Sequence, residues 1–175
     1  RDFSEIVVFS PTPASRERFA SEIGTELGVR TIAAASAEEA VMSADVVLAA
    51  ARSHGERPIL FGDWIKPGAV TVSIGSTIPQ QRELDVSGVR QSDTIVCDML
   101  HEVVSETGDM IAAAQAGVEL GGKCFSLNEL MSGALAERIA AARYPMFKSV
   151  GGGLQDVVVA GMLLDRALEA GIATG

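Results

Sequence analysis

Cysteine is nearly missing from this sequence: Cys97 and Cys124 are the only two in 175 residues. They stand too far apart for the paired spacing of a zinc site and are too few for a disulfide framework, so no metal is expected and a reduced, cytoplasmic setting is. Aromatic residues are scarce as well, 5% against 47% hydrophobic overall, so a core must be assembled from Val, Ile, Leu and Ala rather than from rings. Positive charge is in deficit, with 14 basic residues against 23 acidic ones and a formal charge of −9. That balance leaves no electrostatic footprint for nucleic acid or an anionic membrane surface. No apolar run approaches the ~18 residues of a membrane span. The longest, 157–164, is cut by Gly161 and flanked by Asp156 and Asp165. Internal repeats and low-complexity tracts are absent.

What is present is an alternation of strand and helix signals. The chain runs almost at once into Ile6, Val7, Val8 and Phe9, a buried strand where termini usually fray. Thr12 and Pro13 form a helix start, cap and first residue. Arg16, Phe19, Ile23 and Leu27 then follow at helical spacing, and Gly28 closes the helix. Residues 29–34 read as a second strand. Ser36 with Glu39 three positions on makes a capping box for a short helix. Residues 44–51, ADVVLAAA, are apolar on both faces, as in a parallel strand covered by helices on both sides. Residues 61–69 give a helical turn stopped by Pro67 and Gly68, then 69–75 and 93–98 give a fourth and fifth strand. Helical stretches follow at 99–116 and 127–142, with the acidic run from Glu102 to Asp109 read as a solvated helix face. A final strand and glycine-rich turn occupy 144–153. The last helix, 154–170, is apolar nearly all round and is expected to lie between two layers or two domains. Strands and helices at this spacing specify a parallel α/β sheet with right-handed crossovers, in a chain long enough for a proper core.

In such a sheet, ligands collect beyond the carboxyl ends of the strands. Those ends are Ser10 to Thr12, Ala49 to Ser53, Ile74 to Thr77, Asp98, and Ser149 to Gly151. Four stretches around them are SAEEAVMSADVVLAAARS, PILFGDWIKPGAVTVSIGS, PQQRELD and MFKSVGGGLQDVVVAG. Together, in order and over nearly the whole chain, they resemble the ornithine cyclodeaminase/mu-crystallin family of NAD(P)-binding proteins. The resemblance implies a Rossmann-like NAD(P)-binding sheet that begins here at its second strand. In that family a dimerisation and substrate domain comes first, followed by the central Rossmann strand and its glycine-rich turn. This sequence holds no G-x-G-x-x-G leading into a helix; Gly151, Gly152 and Gly153 open one, but at the other end of the fold. The expectation is therefore a partial Rossmann domain over 1–153, lacking its first strand and glycine-rich loop. Residues 154–175 are then a helix packing back towards the N-terminal domain. In the order 3-2-1-4-5-6 the missing strand is the central one. Its two neighbours would expose unpaired backbone groups at roughly 1–3 kcal/mol each. The 175 residues are thus expected to belong to a longer polypeptide, or to receive that strand from a separate chain. A homodimer through the N-terminal domain is implied by the resemblance.

The resemblance also assigns the strand ends. The adenosine ribose of a dinucleotide would lie at Ser10, where an NAD site usually places a carboxylate. Here stand hydroxyls at Ser10, Thr12 and Ser15, with Arg16 one turn on, which favours NADP over NAD. Pro11 takes the place of an Arg common in NADP-type relatives, and Thr12 is equally a plain helix cap. Ala49 to Ser53, with Ala50 and Ala51 at its centre, resembles the segment lining the cofactor cleft, where relatives often carry Thr in place of Ala51. Beside Ile74, Gly75 either lets backbone approach a ligand or simply ends a strand. Thr77 occupies the position at which the family's cyclodeaminases use an Asp as acid/base. A hydroxyl holds a water or a substrate carboxylate, but it does not shuttle protons near neutral pH. Ser149 and Gly151 offer a hydroxyl and N–H groups at a helix start, suited to an anion or a nicotinamide carboxamide, or just a sharp corner. His54 is a substrate-side acid/base or a solvated loop residue, and His101 is expected at the surface. Asp98 is expected to orient backbone, and Glu83 to Asp85 to form a turn with Leu84 buried. The implied activity is an NAD(P)-dependent oxidoreductase that moves hydride between the nicotinamide and a small amino or imino acid, reducing a cyclic ketimine or an α-imino acid or oxidising a small amino acid. The alternatives are a cyclodeaminase releasing ammonia from ornithine and a non-catalytic binder of NADP or a small ligand.

Overall fold

Short apolar runs bounded by caps and glycines become short strands and helices, as the pattern requires. The computed structural model describes residues 3–51 and 57–172. In chain order it contains β1 Glu5–Val8, α1 Pro13–Leu27, β2 Arg30–Ala33, α2 Ala37–Val41, β3 Val46–Ala49, β4 Val70–Ser73 and α3 Val86–Gln91. These are followed by β5 Thr94–Cys97, α4 Leu100–Glu106, α5 Gly108–Gln115, β6 Cys124–Ser126, α6 Leu127–Met131, α7 Ala136–Ala141, β7 Pro145–Lys148 and α8 Gly153–Glu169. Thr12 and Pro13 start α1, and Gly28 ends it in the left-handed region at φ 64°. The Ser36 hydroxyl accepts from the Glu39 amide at 3.1 Å while the Glu39 carboxylate reaches the Ala35 amide at 2.8 Å.

All strand pairs are parallel, in two sheets: β1 with β2, and β3-β4-β7-β5-β6. β1 and β3 are each paired on one side only, and not with each other. A Rossmann order places its central strand between these two. The last strand, β7, does not sit at an edge. It lies between β4 and β5, which carries Lys148 and Ser149 into the middle of the larger sheet.

Several local expectations change for tertiary reasons. The helical stretch 99–116 is broken at Thr107 and Gly108, because Gly108 packs directly on the carbonyls of Gln81 and Pro79 with no room for a Cβ. The stretch 127–142 is broken at Gly133, φ 82°. β6 was not expected: its three residues are too few to show a period, and a capping box between Ser126 and Glu129 turns the chain at once into α6. The acidic run is only partly solvated. Val103, Thr107 and Asp109 are buried, because α4 packs on β5, β6 and α5, and the start of α5 packs on the loop before α3.

The core gathers Leu60, Leu84, Val89, Ile95, Cys97, Val103, Met110 and Met146 around β5 and β7. Every residue of β5 is buried. β3 is different: Val47 is buried, but Val46 and Leu48 are 45% and 63% exposed, so one face of this strand is bare rather than covered. α8 buries none of its residues, and Leu154, Val157, Leu163 and Leu164 stand in solvent. Among the described residues, no helix is long and apolar enough to cross a membrane.

Candidate functional site

The carboxyl ends of β3, β4 and β7 are adjacent and tied by backbone. The Ile74 amide donates to the Ala49 carbonyl at 3.0 Å, and the Ser149 amide to the Ser73 carbonyl at 3.0 Å. Ala50, Ala51, Ile74, Gly75, Thr77, Ser149 and Gly151 therefore share one edge of the sheet. Beneath that edge lies a group of buried charges that the sequence reading did not single out as a unit.

Glu83 is fully buried and straps two of the strand ends together. Its carboxylate accepts from the Ala51 amide at 3.1 Å, the Gly75 amide at 3.0 Å and the Ser73 hydroxyl at 2.6 Å. Gly75 is glycine for this reason: a Cβ would collide with the Glu83 carboxylate and the Ala51 carbonyl. The close approach that its missing side chain permits is thus made by the protein itself. Lys148 is equally buried. Its ammonium donates to the Ser73 hydroxyl at 2.9 Å and the Ser76 carbonyl at 3.2 Å, and it pairs as an ion with the Asp109 carboxylate at 2.8 Å. The other Asp109 oxygen accepts from the amides of Glu83 and Leu84 at 2.7 and 3.0 Å. Burial pushes the Glu83 carboxyl up. Its bonds from Ser73 and Gly75 and the charge of Lys148 pull it back, and the outcome is a value above the ordinary glutamate range.

A second carboxylate holds the turn into α8. Asp98 accepts from the Ser149 hydroxyl at 2.6 Å and from the amides of Gly151, Val150 and Met99 at 2.9, 3.2 and 2.8 Å. Burial pushes its pKa up, but these bonds outweigh burial and hold it below the ordinary aspartate range. The Val150 and Gly151 N–H groups of this turn are therefore occupied by the chain's own carboxylate.

At the end of β1, in the smaller sheet, Arg16 donates to the Ser10 carbonyl at 3.1 Å and lies 5.4 Å from the Phe9 ring centroid. Thr12 caps α1 by position without a side-chain hydrogen bond. Ser10, Ser15 and Arg16 line an open cavity of about 320 Å³ together with Val8, Arg18, Phe19 and Glu22. No hydrogen bond joins Ser10, Thr12 or Arg16 to the other strand ends among the described residues. Thr77 is half-buried, following Ser76, whose hydroxyl donates to the Gln81 carbonyl at 2.6 Å. His101 is exposed, and its carbonyl accepts from the Ser105 hydroxyl at 2.7 Å. Arg52, Ser53 and His54 lie outside the described residues. No cluster of metal-ligating side chains occurs among the described residues. Lys148 carried one signal in sequence, a cation at the end of an otherwise apolar strand; Asp109 and Ser73 carried none, since their partners are remote along the chain.

A model of the ornithine cyclodeaminase/mu-crystallin family matches residues 1–171. The ketimine reductase mu-crystallin of Mus musculus is 32% identical over 164 residues, covering 93% of this chain and 47% of that protein. A delta(1)-pyrroline-2-carboxylate reductase of Bacillus cereus is 26% identical over 173 residues, covering 98% of this chain and 52% of the relative. Among solved structures, the delta(1)-pyrroline-2-carboxylate reductase of Thermococcus litoralis, in complex with NADH and L-proline, superposes with a TM-score of 0.88 at 31% identity. That match covers 98% of this chain and 53% of the other. The chain thus spans about half the length of the relatives it matches. With its parallel sheet, its strand-end motifs and the whole-chain match in agreement, the chain belongs to the ornithine cyclodeaminase/mu-crystallin family.

Proposed function

We propose that this chain forms the cofactor-binding part of an NAD(P)-dependent oxidoreductase that reduces a cyclic ketimine or a related imino acid. The observation that carries the choice within the family is Thr77. A hydroxyl stands at the position where cyclodeaminases use a carboxylate, so proton shuttling for ammonia release lacks its group, while hydride transfer to an imine does not require it. The names of the similar proteins, a ketimine reductase and pyrroline-2-carboxylate reductases, support the same reading.

The residues present fit a nicotinamide dinucleotide. The β1 end supplies the hydroxyls of Ser10, Thr12 and Ser15 and the guanidinium of Arg16. With no carboxylate at the strand end itself, the fit favours NADPH over NADH. Ala50, Ala51, Ile74 and Gly75 line the middle of the cleft with backbone and small side chains. Asp98 and Ser149, with Gly151, present acceptors to a carboxamide N–H. When bound, the nicotinamide supplies the hydride. Thr77 then holds a substrate carboxylate or a water. The apolar, uncovered α8 packs against a further domain that carries the substrate-binding basic residues and the dimer contact, in a cytoplasmic homodimer.

A fluorescence titration of NADPH, then NADH, into the full-length gene product tests this. Saturable NADPH binding at micromolar levels, with NADH weaker, is the expected result. Tight NADH binding alone would overturn the cofactor preference, and binding of neither would overturn the functional reading. Ammonia release from ornithine would reinstate the cyclodeaminase alternative.

A further inference from the structure

We propose that Lys148 is a positioning residue for the nicotinamide and substrate end of the cleft, holding Thr77 and Ser149 at a fixed separation through a buried relay of charges; this inference rests on the reading of the site given above. Lys148 is the residue before Ser149, so the backbone of β7 couples the two directly. Its ammonium also grips the Ser76 carbonyl at 3.2 Å, one residue before Thr77. The 75–77 segment is then held from three directions. The Gly75 amide is on Glu83, the Ser76 carbonyl on Lys148, and the Ser76 hydroxyl on the Gln81 carbonyl.

The relay has a defined polarity. Lys148 donates to the Ser73 hydroxyl oxygen at 2.9 Å, which leaves the Ser73 proton to donate to Glu83 at 2.6 Å. Glu83 carries the link on to Ala51 at the end of β3. Asp109 supplies the counter-charge to Lys148 at 2.8 Å and is anchored by the amides of Glu83 and Leu84. Burying these ionisable side chains carries a desolvation cost that an apolar core does not. None of the three touches the open side of the sheet edge: Glu83, Lys148 and Asp109 are all at most 1% exposed. Their common effect is to fix which strand ends lie side by side, and a misplacement of about 1 Å in such a site can cost roughly 100-fold in turnover. The β1 end, with Ser10, Thr12 and Arg16, shares no hydrogen bond with this network.

That separation gives the test. In the full-length protein, the double variant K148M/D109N removes the cation together with the charge it would leave unpaired. Turnover of pyrroline-2-carboxylate is expected to fall at least about tenfold in kcat, while the Kd for NADPH rises by a clearly smaller factor, since only the nicotinamide end of the cleft is disturbed and the adenosine end is untouched. S73A, which keeps the Lys148–Asp109 pair and cuts only the relay to Glu83, guards against a double variant that fails to fold. For S73A the same split is expected with a smaller loss of kcat. Folded variants with wild-type kcat would overturn the proposal and leave the network a purely structural device. Equal losses in kcat and in NADPH affinity would overturn it too. A wild-type protein that binds NADPH but reduces no cyclic imine would overturn the functional reading itself, and this inference with it.

Discussion

β3 and β5 carry nearly interchangeable apolar sequences, Val-Val-Leu-Ala and Thr-Ile-Val-Cys, yet they live in different environments. All of β5 is at most 3% exposed, enclosed by β7 on one side and β6 on the other. β3 has a partner only in β4, and Leu48 on its open face is 63% exposed. Apolar residues on both faces therefore announce that a strand is to be buried, but not that the same chain buries it. The bare side of β3 and the unburied α8 each present exposed apolar residues, the kind of surface that marks contact with further protein. The half around β5 and β7, by contrast, is closed, and it contains the buried Glu83–Lys148–Asp109 group.

The comparison can be broken most forcefully at that group. K148M leaves Asp109 as an uncompensated buried charge and should cost about 3–5 kcal/mol in urea unfolding. The K148M/D109N double variant should recover much of that loss. Next in size, L84A empties a fully buried site in the closed half and should cost about 2–5 kcal/mol. L48A on the bare face of β3 should cost less than about 0.5 kcal/mol in the 175-residue chain. If a further part of the full-length protein covers that face, L48A should become expensive there, whereas L84A should cost the same in both.

Smaller again is the effect of pH. Asp85 and Asp98 both titrate below the ordinary aspartate range in the folded chain, Asp85 because bonds from Ser87, Gly62 and Gly88 outweigh its burial. Such lowered groups stabilise fully above their unfolded value of about 3.9, and the contribution is lost as pH falls through the folded values. Glu83 works in the opposite sense. Raised in the folded state, it favours the neutral form, so its contribution is present below about pH 4.3 and fades as pH rises through its folded value. D98N should flatten the acid limb of the stability profile, and E83Q should flatten the decline on the rising-pH side; denaturant midpoints against pH read both. The smallest effect belongs to the surface pair Lys66–Asp45 at 2.7 Å, where Asp45 is 92% exposed. K66A should shift stability by no more than about 1 kcal/mol, and still less in high salt.

Much of the fold was legible because strands and caps are local signals. Residues 5–8, 46–49 and 94–97 are short apolar runs, Thr12 with Pro13 marks a helix start, and Gly28 marks its end. The breaks at Gly108 and Gly133 were not legible in the same way. Gly108 interrupts a helix because loop carbonyls press against it, and those carbonyls belong to residues 79 and 81. The strand-end residues were found from topology alone, since parallel sheets put ligands there. The buried network was not, because Ser73, Glu83, Asp109 and Lys148 each look ordinary until the fold assembles them. Gly75 and the Ser149 turn teach the same lesson. A glycine at a strand end and N–H groups in the turn before a helix both suggest a ligand, and a carboxylate of the chain takes the Gly75 and Gly151 amides, Glu83 in the one case and Asp98 in the other.

The most direct test of the reductase reading is NADPH oxidation by the full-length protein with pyrroline-2-carboxylate, followed by the absorbance of the reduced nicotinamide. The account predicts imine-dependent consumption of NADPH with saturation in both substrates and no ammonia from ornithine. No imine-dependent oxidation with either NADPH or NADH, by a protein that is folded and binds nucleotide, would contradict it.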